Sequence, residues 1–240
     1  GDAAQPPIPG VTIADSAAGG MHAVMSILAA LVRRSRTGEG AYLDVSVTDG
    51  MLGLMALQVD EYLATGDRPG YRTGITSARW ACYDTYEASD GKWLSVAAIE
   101  NRFWRNLCAQ LGLDRWADAQ TDDAVQDDVR ADLRRVFATR TRDEWTAQLA
   151  PADTCVAPVL SVDEVVDDPQ FVSRGAFVDA THPTHGAMRQ VAPAFAGMPA
   201  PPSEPYALRE GDVTDTDELL AAAGMSSDDI AKLRDAGVIA

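Results

Sequence analysis

Two carboxylates stand where a reacting group would be wanted. Asp15 lies in Ile13-Ala14-Asp15-Ser16-Ala17-Ala18-Gly19-Gly20-Met21, just before a run that is apolar on every side from Ala17 to Val32. Its spacing is that of a helix N-cap, whose side chain satisfies a free backbone N–H and is worth about 1 kcal/mol. The same position admits chemistry. A helix N-terminus offers N–H groups that can hold an oxyanion, while a carboxylate moves a proton or attacks a carbonyl. The small residues Ala17, Ala18, Gly19 and Gly20 would let a substrate approach closely. Glu100 follows the apolar strand Leu94-Ser95-Val96-Ala97-Ala98-Ile99. It reads either as an acid favouring the first turn of the next helix or as a strand-end carboxylate facing a cleft.

Other reactive residues carry less. His182 and His185 are broken by Pro183 and lack a third ligand at matching spacing, so they read as a surface turn and no metal site is expected. His22, two turns into the apolar helix, reads as a satisfied core histidine. Thr37-Gly38-Glu39-Gly40 is not a phosphate loop, because no Lys-Ser/Thr follows its second Gly. The chain has no Gly-x-Gly-x-x-Gly and no Gly-x-Ser-x-Gly.

The elements that must position these groups follow from periodicity and breakers. A helix runs from Asp15 or Ser16 to about Arg36, stopped by Gly38. Because it is apolar all round, it belongs inside a larger assembly. Tyr42 to Val47 reads as a strand, and a second apolar helix spans about Asp49 to Ala64. Residues 67–79, rich in Gly, Pro and Arg, read as a linker. A β-hairpin (Trp80 to Glu87, Lys92 to Ile99) turns near Asp90-Gly91. Helices are expected from Glu100 to about Leu111, from about Ala124 to Ala138 and from Arg142 to Leu149, the last behind the capping box of Thr141 and Glu144. Cys155 to Leu160 reads as an edge strand because it contains Pro158. Strand-like sequence from Gly175 to Ala196 turns at 182–186. A Pro-rich crossing, Pro199 to Pro205, leads to two short helices at about 215–223 and 227–235.

Composition narrows the class. Of 240 residues, 36 are acidic and 20 basic, a net charge of −16, which argues against phosphate-backbone partners. The basic cluster Arg33-Arg34-Ser35-Arg36 suits a helix C-terminus. Gly19, Gly20, His22 and Ser26 interrupt the most apolar stretch, so a buried helix is expected there and no membrane span. Three scattered cysteines, Cys82, Cys108 and Cys155, fit a reducing cytoplasm. The chain starts at Gly1 in a Pro-rich leader, which points to a tag scar, a proteolytic cut or a missing upstream part. The residues by themselves describe a soluble α/β protein whose candidate chemistry uses acids.

Several segments, in order, resemble the class III CoA-transferases, the carnitine-dehydratase and bile-acid-inducible type that includes the α-methylacyl-CoA racemases. They are Asp15-Ser16-(x)3-Gly20-Met21-His22, Ile27 to Leu31, Thr37-Gly38-Glu39-Gly40 and Asp44-Val45-Ser46. Further along come Tyr83-Asp84-Thr85-Tyr86, Ala88 to Lys92, Val96 to Glu100, Thr154 to Leu160 and Thr216 to Leu220.

The resemblance implies an α/β fold in which this chain is the C-terminal two-thirds: part of a Rossmann-like large domain plus a smaller α+β domain, interlocked in a dimer. Residues 1–66 would be the remnant of the large CoA-binding domain, 67–79 a linker, 80–190 the small domain and 191–240 a return segment. The upstream half, with most of the CoA pocket, would be absent, cut off or on a second polypeptide, so homodimer and heterodimer both remain open. Residue by residue, Asp15 falls on the family's catalytic aspartate and Glu100 on the racemase glutamate that supports a base. The racemase's opposing histidine would lie upstream of Gly1, a place that His22 does not take.

The implied substrate is a coenzyme A thioester, with no tightly bound cofactor. Ala98-Ile99-Glu100, Cys155-Val156 and the lack of a Gly-rich loop between Arg72 and Trp80 lean toward racemases. Asp15-Ser16 followed by Gly20-Met21-His22 is closer to transferases. Epimerisation of 2-methylacyl-CoA stands slightly ahead of CoA transfer through Asp15. A non-catalytic fragment or partner subunit is the third reading.

Overall fold

The computed structural model describes residues 10–193, 196–197, 204–211 and 213–239. It divides into two compact units, Gly1–Val159 and Leu160–Ala240.

The first unit opens with a π-helix, Ile13–Met21, that runs on as α1, His22–Thr37. Gly38 ends it at φ 78°, its N–H reaching the Arg34 carbonyl at 2.8 Å. Two helices follow, α2 (Val47–Leu54) and α3 (Ala56–Thr65). Here the sequence expectations need correcting. Residues 42–46 form no strand, because no strand among the described residues lies beside them and a lone strand leaves its N–H and C=O groups unpaired. The segment feeds α2 directly, since the Ser46 hydroxyl accepts the Asp49 N–H at 3.2 Å and caps it. The single helix expected from Asp49 to Ala64 breaks at Met55 (φ −94°, ψ 8°).

The π-helix and α2 meet at backbone contact. A Cβ added to Gly50 would sit 2.3 Å from the Ala18 carbonyl oxygen, and one added to Gly19 would sit 3.2 Å from Val47 Cγ2. Ala18 is 2% exposed, whereas α1 buries none of its residues. Met25, Leu28 and Val32 are 62%, 57% and 53% exposed. The helix from Ile13 to Thr37 is long and apolar enough to cross a bilayer by length and composition alone. Its face is apolar, as its sequence demands, and the described residues leave it uncovered.

The rest of this unit is a sheet-and-helix core. Strands β1 (Tyr83–Glu87), β2 (Trp93–Ala97) and β3 (Val156–Pro158) form an antiparallel sheet in that order, with Tyr83 opposite Ala97 and Leu94 opposite Pro158. Pro158 sits on an edge strand, where its missing N–H costs no ladder bond. Helix α4 (Asn101–Leu111) turns Trp104, Leu107, Cys108 and Leu111 inward, the i, i+3, i+4, i+7 stripe of an amphipathic helix. They join Tyr86, Leu94 and Val96 of the sheet, Val129, Leu133 and Phe137 of α5 (Gln126–Phe137), and Trp145 and Leu149 of α6 (Arg142–Leu149). The capping box at α6 forms: Thr141 Oγ1 accepts from Glu144 N at 3.3 Å, and Glu144 Oε2 accepts from Thr141 N at 2.9 Å.

The second unit carries short helices α7 (Val162–Val165) and α8 (Pro169–Ser173), the hairpin of β4 (Phe177–His182) and β5 (Gly186–Val191), and a two-residue strand β6 (Tyr206–Ala207) parallel to β4. Helices α9 (Thr216–Ala222) and α10 (Ser227–Asp235) end it. Most of the expected Pro-rich crossing lies outside the described residues.

The helix contact gives a stability test. Gly50→Ala pushes a methyl into the Ala18 backbone and should cost about 1–3 kcal/mol. Gly53→Ala, which meets nothing within 4 Å, should be neutral or stabilising. Urea unfolding followed by far-UV circular dichroism separates the two, and equal midpoints would show that the approach at Gly50 is not this close.

Candidate functional site

Asp15 is not the N-cap its spacing suggested. The helix starts earlier, with Thr12 at the boundary and Asp15 as the third helical residue. Thr12 caps no N–H; its hydroxyl pairs with Ser16 Oγ at 2.7 Å. No side chain among the described residues therefore caps the first turn, and the positive end of a helix favours an anion. The Asp15 side chain is exposed and makes no hydrogen bond or ion pair with the described residues. Part of the expected open approach is used otherwise: Ala18 and Gly19 spend their small size on α2, leaving half-buried Ala17 and exposed Gly20. π-helical turns are rare and concentrate at functional sites.

His22 also departs from expectation. It is half-buried and its Nδ1 is enclosed with no hydrogen-bond partner, so it is not a satisfied core histidine.

Glu100 occupies the N-cap position of α4 in extended conformation (φ −70°, ψ 133°) without capping through its side chain. Its carbonyl accepts the Trp104 N–H at 3.2 Å, while its exposed carboxylate is left to solvent. The turn before β3 comes beside it. The Ala97 N–H donates to the Cys155 carbonyl at 3.0 Å. Asp153 and Cys155 both hold positive φ, 55° and 51°, around buried Thr154, whose hydroxyl donates to the Leu149 carbonyl at 2.9 Å. Two non-glycine residues in the left-handed region are strained, and the buried threonine fixes them there. Arg102 bridges to Asp153 at 3.3 Å. Partial burial, then the Glu100 and Asp153 carboxylates, push the Cys155 thiol up, and Arg102 opposes them. Burial pushes Cys108 up to about 12.

Asp15 and Glu100 thus sit on separate elements, with no hydrogen bond or ion pair joining them. The Cys155 neighbourhood was legible only as a motif, since the turn that delivers it depends on Thr154 being buried. His182 and His185 lie at the β4–β5 turn, where His182 Nδ1 accepts the Thr184 and His185 N–H groups at 3.1 and 3.2 Å. The segment 67–79 lines a cleft of about 1160 Å³ that neither Asp15 nor Glu100 touches.

Residues 1–206 match the profile of CoA-transferase family III. The chain belongs to that family. It is 30% identical over 234 residues to the human α-methylacyl-CoA racemase, covering 95% of this chain and 59% of that protein. It is 33% identical over 178 residues to the succinyl-CoA:mesaconate CoA-transferase of Haloarcula hispanica, covering 73% of this chain and 43% of the transferase. A crystal structure of a CaiB/BaiF family protein from Brucella suis matches with a TM-score of 0.58 at 32% identity, over 73% of this chain and 47% of the other. The chain therefore spans about half the length of these family III relatives.

Thiol reactivity tests the neighbourhood of Glu100. Cys155 should alkylate first in the native protein, with buried Cys82 and Cys108 reacting only on unfolding. Glu100→Gln removes a negative charge that raises the Cys155 pKa, so the thiolate fraction at neutral pH rises and alkylation quickens. An unchanged rate, read by mass spectrometry, would mean the carboxylate is too far away to act on the sulfur.

Proposed function

We propose that the protein processes acyl-CoA thioesters and that its reaction is epimerisation at the α-carbon of a 2-methylacyl-CoA. The observation that carries this reading is the Glu100–Cys155 neighbourhood, which puts the two racemase-leaning motifs side by side. The reach of the racemase similarity, across 95% of the chain against 73% for the transferase, supports it.

The chemistry suits the geometry. Asp15 takes the α-proton, and the C–H electron pair passes into the thioester as an enolate. Its oxyanion is held by the uncapped N–H groups of the helix start. A second acid on the opposite face returns a proton with inverted configuration; the family resemblance puts it upstream of Gly1. Glu100, at the N-cap of α4, supports a base in the site without touching Asp15 directly. The CoA pocket, too, lies mostly on that upstream half or on a second polypeptide. The exposed apolar side chains of α1 to α3, Leu28, Leu52 and Leu63 among them, are the surface it covers in a homo- or heterodimer in the cytoplasm.

One observation favours a second reading. An exposed carboxylate with no partner is an unencumbered nucleophile. In CoA transfer, Asp15 attacks the thioester carbonyl and expels the CoA thiolate, leaving an acyl-aspartyl anhydride. The thiolate then attacks the aspartyl carbonyl, forming aspartyl-CoA and releasing the first carboxylic acid. A chain that only completes a partner is the third reading.

Incubation of the complete protein with a 2-methylacyl-CoA in deuterated water decides between them. Racemisation incorporates deuterium at the α-carbon. Transfer gives none, and hydroxylamine then traps a thioester at Asp15. Neither signal, with no CoA binding, leaves the partner reading. Asp15→Asn should lower either activity by about 100-fold or more while changing stability by less than about 0.5 kcal/mol, because no cap is lost.

A further inference from the structure

The cleft between α3 and the segment 67–79 contains guanidinium groups in two different states. Four arginines line it: Arg68, Arg72, Arg79 and Arg130. Two are committed to the fold. Arg79 makes a two-pronged bond to Asp123, at 3.2 and 2.7 Å. Arg130, its side chain 3% exposed, donates to the Ala78 and Arg79 carbonyls at 2.5 and 2.6 Å and to Asp84 at 3.3 Å. Together these bonds fix one wall. The side chains of Arg68 and Arg72 make no hydrogen bond or ion pair with any described residue.

Arg72 is the more telling of the two. Its Nε is buried without an acceptor, and its guanidinium lies 5.1 Å from the centre of the Tyr71 ring. A buried N–H with nothing to donate to is costly and calls for a group that completes it. Its backbone sits at φ 61°, and its N–H is held by the Ser77 carbonyl at 2.8 Å. The chain therefore keeps a non-glycine residue in the left-handed region on the lining of the cleft, with its Nε enclosed there and lacking an acceptor. Strain of this kind is retained where the surroundings impose it, and it gathers at ligand clamps.

We infer that this cleft is a binding site for an oxyanion, a carboxylate or phosphate group, received by the forks of Arg72 and Arg68. Arginine forks match both anions through paired charge-assisted hydrogen bonds. The carboxylates Asp60, Glu61, Asp67 and Asp127 also line the cleft and limit where the anion can lie. Asp60 and Glu61 keep it off α3 and favour a ligand whose remaining body donates hydrogen bonds there. This assignment uses neither Asp15 nor the reaction proposed above.

The test titrates the full chain with two probes, inorganic phosphate and glutarate, while the arginine Nε–H signals are followed by NMR. Arg72→Gln identifies the Arg72 signal. That signal should move saturably with one probe, and the probe that moves it names the anion. Arg68→Gln, at an exposed position, should weaken that binding about tenfold, and Arg72→Lys should weaken it too by losing the fork. If neither probe moves the Arg72 signal, or if Arg68→Gln and Arg72→Lys both bind as the wild type does, the site does not exist. Should Arg72→Gln fail to fold, Arg68→Gln and Arg72→Lys still decide the matter.

Discussion

Burial of the α4 stripe beneath the three-stranded sheet is the constraint on which the rest of the first unit depends. Trp104, Leu107 and Leu111 can leave water only if α4 starts where β2 ends, and that places Glu100 at the junction. Trp104 is tied further by its indole N–H, which donates to the Trp116 carbonyl at 2.9 Å. The same core holds α5, from which Arg130 reaches back to the carbonyls of residues 78 and 79 and fixes the cleft wall. Each fully buried large apolar side chain contributes about 1.5–3 kcal/mol, so this core outweighs the single hydrogen bonds around it.

The helices from residue 13 to 65 obey a different balance. Their tightest approach is backbone against backbone, where Gly50 admits Ala18. Their remaining apolar faces are open. Such faces are costly in water, which orders around every exposed leucine. The element carrying Asp15 is therefore held on one side and uncovered on the other.

Legibility in the sequence followed the range of the interactions. The hairpin turn, α4 with its Gly112 stop, the α6 capping box and the β4–β5 turn are set by neighbours within a few residues, and their positions could be read. The expected strand at 42–47 could not form from local preference alone, because a strand is completed only by another strand. Asp15 has cap-like spacing, yet the helix begins three residues earlier, at a threonine whose hydroxyl bonds to Ser16 instead. The unpaired Nδ1 of His22 depends on which neighbours close around it, and no pattern in the chain states that.

By itself the sequence determined the family and the residues worth naming, because ordered motifs and side-chain types survive without coordinates. Only the tertiary structure decided that Asp15 carries no cap bond, that Glu100 lies beside Cys155, and that Arg68 and Arg72 stand unpaired in a cleft. The reason is physical. Whether a charged group is satisfied depends on partners far away in the chain. Asp123 lies 44 residues from Arg79, and the carbonyl of Ala78 lies 52 from Arg130. Folding brings such partners to some side chains and withholds them from others.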